Sequence, residues 1–161
     1  MKKFRVLDVS GDIGLKAFGK SINEALTNAT IGMYSLITNL RTIKKEKTID
    51  VSIKSDSIEG LLVSWLNELI FHFDAYGFIG KKIIVTEFTP TLTLPLQGGG
   101  RGGGADQPAS LQVYTLSASI TGEDFEPERH ESKLLIKAAT YHNLRIENVG
   151  NVWEIDVIFD I

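Results

Sequence analysis

Two aspartates stand where a carboxylate can be displayed and held. Asp12 sits in Ser10-Gly11-Asp12-Ile13-Gly14, a glycine-flanked turn before an alternating segment, so backbone can approach closely and the side chain is presented outward. Asp160 is the penultimate residue, which puts its side chain next to the free carboxylate of Ile161. Neighbouring anions repel unless a cation lies between them. If the last strand runs to the chain end, this pair is held in place instead of fraying. With Asp12 as a third carboxylate the set is all oxygen, which suits a hard cation such as Ca²⁺ or Mg²⁺. Terminal acids are usually just solvated, and spacing alone does not bring Asp12 to the chain end.

Other chemistries find less in these residues. The absence of cysteine removes disulfides, thiol nucleophiles and cysteine-based zinc or iron–sulfur sites together. His72, His130 and His142 are scattered with no partner at ligand spacing, so they read as hydrogen-bonded structural residues, with His72 at the surface. No Gly-x-Ser-x-Gly elbow is present. The run Gly98-Gly99-Gly100-Arg101-Gly102-Gly103-Gly104 is followed by Ala-Asp-Gln-Pro, not by the Gly-Lys-Ser/Thr and helix that a phosphate loop requires.

The acids need elements to position them. Ile13, Leu15 and Ala17 alternate with polar positions, as do Ile49, Val51 and Ile53, so both segments read as short strands. Between them Ile22, Ala25, Leu26, Ala29, Met33, Leu36, Ile37 and Leu40 keep helical spacing, with Ser21 and Glu24 as a capping box. A second helix carries Ile58, Leu61, Leu62, Trp65, Leu66, Leu69, Ile70 and Phe73 on one broad face. Asp56 with Glu59 would start it and Gly77 would end it. Strand-like runs follow: Lys81 to Thr89, Leu111 to Thr121, Lys133 to Tyr141, Leu144 to Glu147 and Val152 to Asp160. Late strands joined by short turns predict an α+β fold, two amphipathic helices packed on antiparallel-rich sheet.

The 161 residues, 43% apolar and 23% charged with net charge −3, suit one domain spanning 1–161. This balance excludes a disordered tail protein and a strongly basic nucleic-acid coat. No stretch approaches the roughly 18 apolar residues of a membrane span, and the basic start lacks an apolar run behind it, so a cytoplasmic protein without membrane contact is expected. One segment departs in composition: from Pro90 to Ala109, 20 residues hold six glycines and three of the four prolines. It reads as a flexible insert at about 90–109 between two strands, leaving a domain of natural size around it.

Taken in order, several motifs resemble the archease family. They are Asp12-Ile13-Gly14 with Ala17-Phe18-Gly19, Glu24-Ala25-Leu26 with Ile31-Gly32-Met33, and Trp65-Leu66-Asn67-Glu68-Leu69-Ile70 with Phe73-Asp74 and Gly77-Phe78. The second half adds Gly122-Glu123-Asp124-Phe125, Pro127-Glu128-Arg129-His130, Lys137-Ala138-Ala139-Thr140-Tyr141-His142-Asn143-Leu144, Trp153 and Val157-Ile158-Phe159-Asp160-Ile161. The resemblance spans nearly the whole chain. It implies a non-catalytic activator of the tRNA-splicing RNA ligase, which joins RNA 3′-phosphate ends to 5′-hydroxyl ends. Such a protein promotes the ligase's guanylylation, gives it multiple turnover and broadens its choice of nucleotide. The resemblance further implies a divalent cation, calcium, with Mg²⁺ or Mn²⁺ as alternatives, held by Asp12, Asp160 and Ile161.

The chain departs from the family pattern in three places. Val9-Ser10-Gly11 stands where many members have His-Thr-Ala before the loop aspartate, Asn39 supplies a neutral amide where the family often has Asp, and the insert lies between two family strands. One fewer negative charge near the site weakens cation binding. Net charge −3 favours a protein partner, the ligase, with RNA met only indirectly, because direct tRNA binding calls for a basic face. A chaperone-like modulator of other RNA-processing enzymes, such as a tRNA methyltransferase, is the alternative. A metal-dependent phosphohydrolase using Asp12 and Asp160 lacks an evident base or nucleophile.

Overall fold

Capping decides where both helices begin and end. Ser21 is extended and its Oγ accepts a hydrogen bond from the Glu24 N–H at 3.1 Å, opening α1 (Ile22–Ile37). Thr38 returns to extended backbone and closes it. The second helix, α2 (Ile58–Tyr76), starts one residue later than the Asp56–Glu59 pattern suggests. Ser57 is the extended residue there, and its Oγ accepts from the Gly60 N–H at 3.0 Å. Gly77 ends α2 with φ of 73°, a left-handed conformation in which its N–H reaches the Phe73 carbonyl at 2.7 Å.

The computed structural model describes residues 2–93 and 111–161. Seven strands accompany the helices among these residues: β1 (Phe4–Val9), β2 (Asp12–Gly19), β3 (Lys47–Ser55), β4 (Phe78–Thr93), β5 (Leu111–Asp124), β6 (Ala138–Val149) and β7 (Val152–Asp160). They form two antiparallel sheets, ordered β1-β2-β7-β6 and β3-β5-β4. The expected α+β domain is therefore what the chain builds.

Alternation gives each sheet one apolar face. Leu15 and Ala17 of β2, Ile155, Val157 and Phe159 of β7, and Leu116, Ala118 and Ile120 of β5 are all buried. The helices bridge the sheets: α1 packs on β2 and β4, and α2 on β6 and β3. Trp65, 1% exposed, sits among Leu61, Leu62, Leu66 and Leu69 in this core. Its indole Nε1–H donates to Thr30 Oγ1 at 2.9 Å, which joins the two helices by a buried polar bond. Each such large side chain contributes about 1.5–3 kcal/mol by leaving water.

Three differences from the sequence reading have local causes. The alternating run from Lys133 is not strand until Ala138. Its backbone N–H groups at Lys133 and Leu134 instead satisfy the Ile37 and Leu36 carbonyls at the end of α1. Strand β4 continues to Thr93, so Pro90 to Thr93 pair with Tyr114 to Leu111 and belong to a hairpin. The remainder of the expected insert, 94–109, lies outside the described residues. Strand β1, which carries no clear alternation of its own, pairs along β2 at the sheet edge.

Candidate functional site

The first and last parts of the chain meet in the four-stranded sheet. Val9 pairs with Asp12 across a tight turn whose Gly11 has φ of 79°. Strand β2 then pairs antiparallel with β7 from Ile13↔Phe159 to Gly19↔Trp153. The ladder ends at Ile13↔Phe159, so Asp12 and Asp160 are the next residue on each strand, and the same register continued by one step would set them opposite each other. Residues opposite each other in an antiparallel pair share a face with Cβ atoms about 4.5–5.5 Å apart, and like charges there destabilise. Asp160 is also braced from its other side. It pairs with Ala138, and its carbonyl accepts the Lys137 N–H at 2.8 Å. The penultimate residue is thus held in a ladder.

Asp12 and Asp160 lie on the outer face of the sheet, the face that carries Lys16, Glu154 and Asp156. Acids further along that face are neutralised. Arg145 donates to Asp156 at 2.8 Å, Glu154 at 2.6 Å and Glu147 at 2.7 Å, and Lys16 approaches Asp156 at 3.4 Å. Neither Asp12 nor Asp160 takes part in an ion pair or side-chain hydrogen bond among the described residues. Two facing carboxylates without a counter-charge are the donor chemistry that a hard divalent cation completes. Among the described residues no three His, Cys, Asp or Glu side chains gather as metal ligands. Ile161, which follows Asp160, is 42% exposed.

The end of α1 arrives at the same end of the sheet. Asn28 on α1 donates to the Phe18 carbonyl at 2.7 Å, and the backbone at Gly32 rests against Leu15, so the helix runs back along β2 towards Asp12. Residues 133–137 link the two features, bonded to the Ile37 carbonyl at one end and the Asp160 carbonyl at the other. Asn39 follows α1, yet its Oδ1 accepts the Arg41 N–H at 3.1 Å and caps a short 3₁₀ turn over Leu40–Thr42. That oxygen serves local structure.

A second cluster escaped the sequence reading. Glu123, 2% exposed at the end of β5, takes hydrogen bonds from the Arg129 guanidinium and the Lys44 backbone N–H, and faces His130 Nε2 at 3.1 Å. His130 is buried, and its Nδ1 accepts the Glu126 N–H at 2.9 Å, as a structural histidine should. Burial alone would raise the Glu123 carboxyl, but the bonds from Arg129 and Lys44 and the nearby positive charge outweigh it and hold it below the usual carboxylate range. Phe125 meets the Phe73 ring edge-on at 5.7 Å and lies tilted beside the His130 ring at 5.6 Å. This arrangement ties the β5 exit loop to the approach to β3. The sequence marked these residues only within the motifs Gly122-Glu123-Asp124-Phe125 and Pro127-Glu128-Arg129-His130, with nothing to show that Glu123 would be buried. His72 sits partly exposed beside Glu68 at 3.4 Å, and His142 is exposed at an irregularity in β6 between Thr140 and Arg145.

No helix of the described chain is long and apolar enough to cross a membrane. The family model described as "Archease protein family (MTH1598/TM1083)" matches residues 4–161. The chain is 28% identical to Protein archease of Sulfurisphaera tokodaii over 161 residues, covering 100% of both proteins. It is 29% identical to Protein archease of Methanosarcina acetivorans, covering 99% of this chain and 97% of the relative. The solution structure of Methanobacterium thermoautotrophicum protein 1598 is similar with a TM-score of 0.72 and 26% identity, covering 100% of both chains. A Thermotoga maritima structure described as an archease and possible chaperone shares the fold, with a TM-score of 0.56 at 18% identity and coverage of 96% and 94%. The two-sheet architecture and the match from Phe4 to the last residue agree, and the chain belongs to the archease family.

Proposed function

We propose that this chain is a non-catalytic activator of the tRNA-splicing RNA ligase, promoting guanylylation and multiple turnover and broadening nucleotide use. The observation that supports this reading is the register that, continued by one step, would set Asp12 opposite Asp160, at the positions to which the family resemblance assigns metal binding. Asp12, Asp160 and the carboxylate of Ile161 would hold a divalent cation, Ca²⁺ first. When bound, the cation supplies positive charge able to organise nucleotide phosphates. The chain's own contribution is positional. Pairing with Ala138 of β6 fixes Asp160, and the Gly11 turn presents Asp12.

The alternative within the family, a chaperone-like modulator of RNA-processing enzymes, makes a different experimental prediction. Ligation turnover by the ligase of the same organism should rise when this protein is added, and the rise should be lost with Asp12→Asn. Unchanged turnover together with suppressed aggregation of a tRNA methyltransferase would favour the alternative. Phosphate release by the protein alone would make it an enzyme instead.

A further inference from the structure

The end of α2 carries two exposed aromatic rings, and the acidic loop after β5 is bonded to the residue that closes the helix. Phe71 and Tyr76 on the last turns of α2 are 52% and 63% exposed, and their rings meet edge-to-face at 6.0 Å. Gly77, immediately after Tyr76, accepts the Phe125 N–H at 2.7 Å, which brings the β5 exit loop against this helix end. There Phe125, Glu126, Pro127 and Glu128 line a cavity of about 370 Å³. Glu128 enters no ion pair among the described residues, whereas Glu126 is engaged by Arg129 at 3.1 Å. The last turn of α2 contains no basic residue, so no side-chain cation offsets the negative potential of its carbonyl end.

The loop is built to keep this shape. The Arg129 and His130 N–H groups both bond the Glu126 carbonyl, at 3.0 and 2.8 Å, and the Glu126 N–H bonds His130 Nδ1. Buried Glu123 anchors Arg129 from below. A preorganised loop loses little entropy when a ligand enters. Aromatic faces beside carboxylates match an arginine or lysine side chain, which can stack on the ring while its charge meets the acid. The same acids repel a nucleic-acid backbone or an anionic membrane surface.

We propose that this surface docks a basic segment of a partner protein, with one arginine or lysine side chain seated against Phe125 and Glu128 and a neighbouring one over Tyr76. The proposal goes beyond the metal reading and uses none of its residues. The test is an NMR titration of the ¹⁵N-labelled full chain with a capped Gly-Arg-Ala-Arg-Gly peptide, compared with its Gly-Glu-Ala-Glu-Gly counterpart. The expected result is saturable shifts confined to the amides around Phe125, Glu128 and Tyr76, absent with the acidic peptide. The double variant Glu128→Gln, Tyr76→Ala should weaken binding at least fivefold with an unchanged melting temperature. Shifts spread without saturation over the other acidic surfaces, equal affinity in the double variant, or displacement of the same amides by a single-stranded RNA oligonucleotide would overturn it.

Discussion

Replacing Glu123 by glutamine should destabilise the protein by an amount that depends on pH. The carboxylate is buried and serves the Arg129 guanidinium, the Lys44 N–H and His130 together. An amide has one acceptor oxygen, so its NH₂ must face at least one of those donors. Removing one partner of a fully buried charge pair costs about 3–5 kcal/mol. Arg129 is about one-third exposed and keeps Glu126 at 3.1 Å, so it can rehydrate and the cost falls. About 2 kcal/mol is expected at pH 7, or about 4–8 °C in melting temperature for a chain of this size. The folded state holds the Glu123 carboxyl below its ordinary 4.5. Its contribution is therefore complete above that value and disappears as pH falls through the depressed one. Urea unfolding of Glu123→Gln and the unmodified protein from pH 7 to pH 3 should give a gap that narrows below pH ~4.5. A gap under about 0.5 kcal/mol at pH 7, or one unchanged down to pH 3, would mean that the Glu123 carboxylate does not stabilise the fold.

Trp65→Ala should cost about 3–5 kcal/mol in urea unfolding, because it empties the core between the helices and removes the donor to Thr30, whereas His72→Ala should cost less than about 0.5 kcal/mol. Tyr34 is fully buried against the Gly80 backbone, with no well-formed hydrogen bond for its hydroxyl among the described residues, and burial pushes its pKa well up from 10.0. The folded state therefore keeps the phenol proton that the unfolded state gives up, so stability is lost as pH rises above about 10. Tyr34→Phe should change stability at pH 7 by less than about 1 kcal/mol and reduce that alkaline loss, read by thermal melts at pH 8 and 11. A Cβ at Gly122 would overlap the Ile79 carbonyl oxygen across β4 and β5, so Gly122→Ala should destabilise by more than about 2 kcal/mol in the same assay.

Both helices were legible because their cores repeat at helical spacing and their ends carry local signals, Ser21 and Gly77. The shift from Asp56 to Ser57 shows the limit: two residues with suitable side chains adjoin, and backbone geometry selects between them. Strand β1 is hard to read because an edge strand mixes half-buried Phe4 and Leu7 with exposed Arg5, Val6 and Asp8. Residues 133–137 alternate like a strand but answer to α1, whose terminal carbonyls need donors. At the candidate site each aspartate could be singled out by its neighbours, but their meeting depends on β2 and β7 pairing from opposite ends of the chain. The Glu123 cluster was invisible to patterning, since periodicity assigns a glutamate to solvent and only the fold reveals donors enough to bury it.

The facing of Asp12 and Asp160 with the Ile161 carboxylate is tested most directly by calorimetric titration of the metal-free protein with Ca²⁺. Asp12→Asn, Asp160→Asn and a version extended past Ile161 serve as comparisons. One-to-one binding is expected for the unmodified chain, at least tenfold weaker in all three altered proteins, while an extension at Met1 leaves it unchanged. Equal calcium affinity in Asp12→Asn and the unmodified chain would contradict this site.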